Sequence, residues 1–234
     1  SPINPEIGRN PNADKAAEAA GIKTFMNLAN DEATAKGYEG FDSTYYSKQN
    51  VVYLNLGVDF TAADFKTGLA TGLRYFTTHE GPYLVHCTEG KDRAGLTAAI
   101  LECLCGATYE EVLNDYVETY RNYYSAENGT HRALTEKEIT AIEGVIIANL
   151  KLAFGTEVTE TTDLAATATT YLKSIGLTDD EVAALKARLC SKPATHEHTY
   201  GDPSDATYTW NADYTSCTAT ALCTDENCPD PEKG

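Results

Sequence analysis

Short apolar runs alternate with polar, helix-forming stretches over the first 90 or so residues of the chain. Three of these runs have the length of a buried strand, at Ile22 to Leu28, Val51 to Leu56 and Tyr83 to Val85. Helix-forming residues occupy Ala13 to Ala20 and Ala62 to Thr77. Strands separated by helices predict an α/β fold, with a mainly parallel central sheet that helices flank on both faces.

After the third run the pattern becomes helical as far as Cys190. The predicted helices are Arg93 to Cys105, Tyr109 to Tyr123, Leu134 to Phe154, Leu164 to Ser174 and Asp179 to Leu189. Capping boxes mark three of the starts, at Thr108 with Glu111, Thr135 with Glu138, and Thr178 with Glu181. Thr61 is predicted to open the earlier helix that runs to Thr77. We therefore expect a helical C-terminal half.

The composition changes at Ser191. Four of the 8 prolines, three of the 7 cysteines and the single Trp lie beyond this point. Thr, Tyr, Trp and Cys alternate from Thr207 to Cys223 around Asn211-Ala212-Asp213, which predicts a small hairpin. We expect one main domain over residues 1–190 and a β-rich appendage over residues 191–234, for which a truncated β module is one interpretation.

Charge and hydropathy exclude several classes of partner. The net charge is −17, from 35 acidic and 18 basic residues, which argues against nucleic acid as a partner. No run approaches the roughly 18 apolar residues that a membrane-spanning helix needs. A site for an anion in so acidic a chain must gather positive potential locally, from backbone amides and a few placed cations.

One segment has the composition of such a site. Residues 85–95 read VHCTEGKDRAG and join the end of a predicted strand to the start of a predicted helix. Successive backbone N–H groups in this setting converge on one centre, next to the N-terminus of a helix. The phosphate-binding residues predicted from this segment are Thr88, Glu89, Gly90, Lys91, Asp92 and Arg93.

Two side chains in this segment have the chemistry for phosphoryl transfer. The amides, the helix N-terminus and a nearby guanidinium favour an ionised, nucleophilic sulfur at Cys87. Arg93 can hold two phosphoryl oxygens at once, which a lysine cannot do. Gly90 permits backbone conformations that a Cβ would hinder.

The His-Cys-x5-Arg pattern between a strand and a helix resembles the signature loop of the cysteine-dependent protein tyrosine phosphatases. HCTEGKDRAG, with SPINPEIGRN at the start and the helices to Leu189, is similar to a bacterial group related to phosphoinositide phosphatases. The resemblance covers about residues 1–190. It implies a phosphocysteine at Cys87, hydrolysed by water, with neither metal nor cofactor. The substrate would be a phosphorylated protein or a small phosphomonoester.

The proton donor to the leaving group has two candidates. Asp92 lies within the loop, whereas Asp59 follows the second strand, where many members of the family carry their acid on a mobile loop. We favour Asp92. The alternative for Asp59 is a turn or helix-start residue.

Four other residues near the loop have expected roles. His86 is expected to support the loop by hydrogen bonding, and Lys91 either adds a second cation at the rim or is a solvated lysine. Many members of the family follow the arginine with Ser or Thr, whose hydroxyl assists breakdown of the phosphoenzyme, but this chain has Ala94. Thr88 or Thr97 would have to substitute, or turnover would be slower.

The sequence therefore predicts a phosphatase that acts most readily on phosphotyrosine. The alternatives are a phosphoinositide or inositol phosphate phosphatase and an inactive phosphate-binding module. The sequence leaves the oligomeric state open.

The appendage carries its own candidate chemistry. His196, His198, Cys217, Cys223 and Cys228 are potential zinc ligands, but without a C-x2-C knuckle we favour disulfides or free thiols. Short Thr/Tyr/Trp-rich pieces like this one resemble segments of surface proteins in Gram-positive bacteria, which implies a secreted or cell-surface protein rather than a cytoplasmic one. Cys103 and Cys105, inside an apolar helical pattern, are predicted to be buried free thiols.

Overall fold

The computed structural model of the chain describes residues 1–4, 8, 10–125, 133–190, 202, 204, 206–210, 217–220, 222 and 224. Its contacts divide the chain into two units, Ser1–Cys190 and Ser191–Gly234. Each unit is described by itself.

Three parallel strands form the sheet of the first unit, and they are β1 Thr24–Asn27, β2 Asn50–Tyr53 and β3 Tyr83–His86. Their order is β2-β1-β3, with Asn27 opposite Tyr53 on one side and His86 on the other. Since all three run the same way, their carboxyl ends meet at one edge. The predicted α/β fold with a parallel sheet is confirmed.

Helices make up most of the rest of this unit. They are α1 Asn10–Ala19, α2 Glu32–Lys36, α3 Ala63–Thr78, α4 Arg93–Leu104, α5 Tyr109–Ser125, α6 Glu136–Phe154, α7 Leu164–Ser174 and α8 Asp179–Leu189. All three predicted capping boxes form. The predicted opening of α3 at Thr61 is wrong. The cap is Ala62, without a side-chain hydrogen bond, because the Thr61 hydroxyl donates to Asp59 instead.

Apolar side chains cover both faces of the sheet. Phe25 points into a cluster with Ile3, Ala17 and Tyr46, whereas Met26 points into the main core of the helical half. This alternation follows from the period of two along a strand. Helix α4 lies inside the main core, where it contacts α5, α6 and α7. The start of α4, where the signature segment ends, is thus held by packing from several sides.

The cysteines of the first unit differ from the prediction. Cys105 forms a disulfide with Cys190, 85 residues away, with a Cα–Cα distance of 4.9 Å. It is therefore not a buried free thiol, because α4 ends at Leu104 and leaves the next residue exposed beside the end of α8. Cys103 is the buried free thiol that was predicted, and burial raises its pKa to about 12.

In the second unit the structure describes a two-stranded antiparallel sheet. Strands β4 Thr207–Trp210 and β5 Cys217–Thr220 pair with Thr207 opposite Thr220. The predicted strands of the hairpin are confirmed. The turn at 211–213 and four of the candidate zinc ligands, His196, His198, Cys223 and Cys228, lie outside the described residues. Within the part of the chain that is described, no helix has the length and apolarity to cross a membrane.

Candidate active site

The signature segment begins at the carboxyl end of β3 and ends in the first turn of α4. Cys87 directly follows β3, and α4 starts at Arg93. Between them Gly90 has a φ of +93°. An added Cβ there would meet nothing within 4 Å, so the glycine is needed for its dihedral angles rather than for space.

The sulfur of Cys87 sits at the base of this loop. Its residue is 1% exposed, and the Gly90 amide donates a hydrogen bond to Sγ at 3.3 Å. Among the described residues, nothing accepts a hydrogen bond from the amides of Thr88, Lys91, Asp92 and Arg93. Backbone donors seldom stay unpaired unless water or a ligand takes them. The loop therefore offers amides that have no partner among the described residues beside a buried sulfur, as an anion-binding loop does.

Arg93 is fixed at two of its three nitrogens. Nη1 donates to the Leu56 carbonyl oxygen at 2.8 Å, and Nη2 donates to Thr88 Oγ1 at 3.2 Å. Nε is buried and has no hydrogen-bond partner among the described residues. A buried guanidinium N–H without a partner is unfavourable. An anion in the loop would remove that cost.

The carbonyl that holds Arg93 comes from the loop after β2. The amide of Leu56 donates to Leu28, and the amide of Leu54 donates to Asn27, so this loop continues along the edge of β1. Asn55 between them has a φ of +48°, in the left-handed region. Asparagine enters that region more readily than most residues. Asn55 directly precedes Leu56, so this left-handed turn lies next to the carbonyl oxygen that accepts the hydrogen bond from Arg93.

His86 lies beneath the loop as an uncharged support. Its Nε2 is 3.1 Å from the Tyr46 hydroxyl and its Nδ1 is 3.4 Å from the Cys87 carbonyl oxygen. Burial, with a smaller contribution from the N-terminal charge, lowers the pKa of His86 to about 3. Neutral His86 can donate one hydrogen bond and accept the other. It connects the backbone of Cys87 to the core around Tyr46.

The two candidate proton donors have different surroundings. Asp59 Oδ1 accepts hydrogen bonds from the Thr61 hydroxyl at 2.7 Å and the Thr61 amide at 3.0 Å. The hydroxyl first, and then the amide, lower the pKa of Asp59 below its ordinary value. Asp92 precedes α4, and its side chain makes no capping hydrogen bond.

The ring of Tyr116, on α5, packs against the first turn of α4. An added Cβ at Gly95 would meet this ring at 2.7 Å, so helix α5 lies tightly against the start of α4. Burial raises the pKa of Tyr116, and its interactions with Tyr120 raise it further, with smaller contributions from Asp92 and Cys87.

The rim of the loop carries a network of charged side chains. Lys91 Nζ lies 2.8 Å from Glu89 and 3.3 Å from Asp92. The Tyr123 hydroxyl of α5 donates to the other oxygen of Glu89 at 3.1 Å. Lys91 is thus paired within the loop and is not a solvated lysine.

The two threonines considered as replacements for the missing hydroxyl at Ala94 are placed differently. The Thr97 hydroxyl donates to the Arg93 carbonyl oxygen at 2.8 Å, one turn back along α4. Thr88 Oγ1 accepts from Arg93 and keeps its own hydrogen to donate. The hydroxyl available at the loop is that of Thr88.

Sequence reasoning missed four residues around this site: Tyr46, Leu56, Tyr116 and Tyr123. Leu56 acts through its main-chain oxygen, which no side-chain motif indicates. The three tyrosines come from segments far from the loop in sequence, and no pattern near them points to it. An asparagine near the end of the predicted strand Val51 to Leu56, at Asn55, was the one available signal.

Comparison with known proteins agrees with this geometry. The family model described as "Tyrosine phosphatase family" matches residues 6–191, nearly all of the first unit. No curated protein matches the chain. With a match over this share of its length, the chain belongs to the tyrosine phosphatase family and is a phosphatase.

Proposed function

We propose that the chain is a cysteine-dependent phosphatase that hydrolyses phosphotyrosine and related aryl phosphomonoesters through a phosphocysteine at Cys87. The observation that carries the proposal is the buried sulfur with an amide donor at 3.3 Å, next to loop amides and an Arg93 Nε that have no partner among the described residues. A sulfur that can attack phosphorus and N–H donors that can bind the phosphoryl oxygens therefore lie in one loop.

The first chemical step forms the S–P bond. The Cys87 thiolate attacks phosphorus while the bond from phosphorus to the leaving oxygen breaks. Loop amides and Arg93 stabilise the charge on the three equatorial oxygens. Asp92, in its protonated form, gives its proton to the leaving oxygen.

The second step regenerates the enzyme. Water attacks phosphorus, the S–P bond breaks, and the water proton passes to the Asp92 carboxylate. The Thr88 hydroxyl, whose hydrogen the bond from Arg93 leaves available, is assigned to donate to the departing sulfur. Inorganic phosphate and the Cys87 thiolate are the products.

Asp92 is the proposed acid rather than Asp59. Asp92 lies inside the loop between Cys87 and Arg93, whereas Asp59 Oδ1 accepts both of its hydrogen bonds from Thr61 within a turn of its own.

Phosphoinositide or inositol phosphate substrates are the alternative. They would call for an available second cation, and Lys91 is already paired with Glu89 and Asp92. An inactive phosphate-binding module is the other alternative, which the absent hydroxyl at Ala94 would favour. The free hydroxyl hydrogen of Thr88 supports turnover instead.

We also propose that the phosphatase domain comprises residues 1–190, that residues 191–234 form an appendage, and that the protein is secreted or displayed at the cell surface. The disulfide between Cys105 and Cys190 supports an oxidising location, where such bonds persist.

The direct test is hydrolysis of p-nitrophenyl phosphate over roughly pH 4 to 8. We expect activity in the parent protein and none in Cys87→Ser. Rapid quenching of the parent, followed by intact-mass analysis, should show one added phosphoryl group that Cys87→Ser lacks. A folded parent sample without detectable hydrolysis would discard the enzyme hypothesis.

Substrate class is tested by comparing kcat/KM on phosphotyrosyl peptides, phosphoseryl peptides, soluble inositol phosphates and phosphoinositide vesicles. We expect phosphotyrosyl peptides to rank first. A higher value on the inositol phosphates or the vesicles would favour the alternative.

A further inference from the structure

The lysine of the signature loop is enclosed by partners from two elements. Its Nζ lies 2.8 Å from Glu89 Oε2 and 3.3 Å from Asp92 Oδ2. It also lies 5.3 Å from the centre of the Tyr123 ring, on α5. Tyr123 in turn donates its hydroxyl to Glu89 Oε1 at 3.1 Å, so both oxygens of that carboxylate are engaged.

This arrangement differs from an ordinary surface ion pair. The Lys91 side chain is 21% exposed, whereas Lys36 in an exposed helical pair is 58% exposed. The hydrogen bond to Glu89, followed by the charge of Asp92, raises the pKa of Lys91 above its ordinary value. Lys91 is therefore charged, but its ammonium group is already paired with Glu89 and Asp92.

The charge balance of the rim follows from these contacts. Glu89 neutralises Lys91, the one cation of residues 89–92, and Arg93 points to Leu56 and Thr88 instead. A substrate with a second phosphate beside the first would bring that phosphate towards the carboxylate of Glu89. Like charges placed opposite each other disfavour binding of the wrong partner.

We propose that Glu89 is a specificity-determining residue, which with Tyr123 holds Lys91 inside the loop and so restricts the site to substrates with a single phosphate. The inference rests on the proposed function and narrows it to monophosphorylated substrates. It assigns Glu89 to substrate selection by charge, while its backbone amide remains part of the phosphate loop.

The test compares Glu89→Gln, which keeps the shape and removes the charge, with the parent protein. The measured quantity is kcat/KM for a soluble inositol trisphosphate divided by kcat/KM for p-nitrophenyl phosphate. We expect this ratio to rise about tenfold in Glu89→Gln. Tyr123→Phe keeps the ring and removes the hydrogen bond, and should raise the ratio by less.

Two further variants show whether the effect passes through Lys91. Glu157→Gln, which removes the partner of Lys151 in a pair outside the loop, changes the net charge equally and should leave the ratio unchanged. Lys91→Met in the Glu89→Gln background should return the ratio to the parent value. An unchanged ratio in Glu89→Gln, or a parent that already prefers the trisphosphate, would overturn the proposal.

Binding measurements separate this proposal from the enzyme hypothesis. In the Cys87→Ser background, calorimetric titration with inorganic phosphate and with the inositol trisphosphate needs no turnover. The Glu89→Gln change should tighten binding of the trisphosphate about tenfold more than it tightens binding of inorganic phosphate. If the parent hydrolyses nothing, these titrations still decide the role of Glu89. If the parent is active, but Glu89→Gln changes neither the kcat/KM ratio nor the relative affinity for the trisphosphate, the proposed function stands and the role of Glu89 is rejected.

Discussion

The guanidinium of Arg93 is bound to the main-chain oxygen of Leu56, 37 residues earlier in the chain, at 2.8 Å. This bond connects the first residue of α4 to the loop that follows β2. It orients the guanidinium before any substrate arrives, and leaves Nε without a partner in the described part of the chain. Preorganised donors of this kind need no rearrangement at the moment of reaction.

Replacement of Arg93 by lysine should lower kcat/KM by about 10²- to 10³-fold, the range found on loss of one oxyanion donor. One ammonium group cannot satisfy Leu56, Thr88 and an anion with the planar geometry of a guanidinium. Initial rates on p-nitrophenyl phosphate measure the effect. Arg121→Lys, in the exposed pair with Glu118, is the matched control and should keep parent activity. Equal rates for the two variants would contradict the assigned role.

The identity of the proton donor can be decided from the leaving group. Asp92→Asn should reduce kcat/KM on phenyl phosphate by about 10²-fold or more, since a poor leaving group needs the proton. The loss should be much smaller on p-nitrophenyl phosphate, because p-nitrophenolate leaves without one. The ratio of the two substrates is the quantity to measure.

Asp59→Asn is the paired variant for that experiment. Its hydrogen bonds to Thr61 mark it as a turn residue, and its replacement should leave the ratio of phenyl to p-nitrophenyl phosphate unchanged. A leaving-group-dependent loss in Asp59→Asn with none in Asp92→Asn would reverse the assignment.

Whether a structural feature of this protein can be predicted from the sequence depends on how far apart in the chain the interacting residues lie. Strand and helix positions follow from local periodicity, and the capping boxes at Thr108, Thr135 and Thr178 were predicted because their partners lie three residues away. The start of α3 was missed, although its cause is also local. Asp59 and Thr61 pair two residues apart, and this side-chain turn competes with the helix cap.

The loop itself was accessible from sequence, because seven consecutive residues carry its chemistry. The distant residues that hold the loop in place could not be predicted from the sequence. The hydroxyl of Tyr46 reaches His86 across 40 residues, and the hydroxyl of Tyr123 reaches Glu89 across 34. The bond between Cys105 and Cys190 spans 85. Such pairs depend on how helices and strands pack, which periodicity along the chain does not encode.

Neutral, buried His86 should make the protein sensitive to acid. Its pKa is lowered from 6.5 to about 3, mainly by burial. Between these values the unfolded chain binds a proton that the native state does not, so stability falls as pH falls. The contribution is full above pH 6.5 and is lost progressively towards pH 3, with a slope of up to about 1.4 kcal/mol per pH unit.

Urea unfolding between roughly pH 5 and 7.5 measures this slope. His86→Asn should be less stable than the parent at neutral pH, because Tyr46 loses a partner, yet its stability should depend less on pH. Tyr46→Phe removes the same hydrogen bond while keeping the histidine, so it should retain the parent slope. Parallel curves for the parent and His86→Asn would contradict a buried neutral histidine.

The disulfide between Cys105 and Cys190 should stabilise the first unit by restricting the unfolded chain. Its loop of 85 residues is long, and bonds of this kind typically contribute about 2–4 kcal/mol. Urea unfolding of the parent with and without a thiol reductant measures the difference. Cys105→Ser/Cys190→Ser should match the reduced parent and should not respond to the reductant, which separates this bond from any effect on the other cysteines.

Since the bond joins the far ends of α4 and α8 rather than the loop at Arg93, p-nitrophenyl phosphate hydrolysis at low temperature should persist in the double variant. A large loss of kcat under conditions where the double variant is fully folded would instead show that the disulfide positions the start of α4.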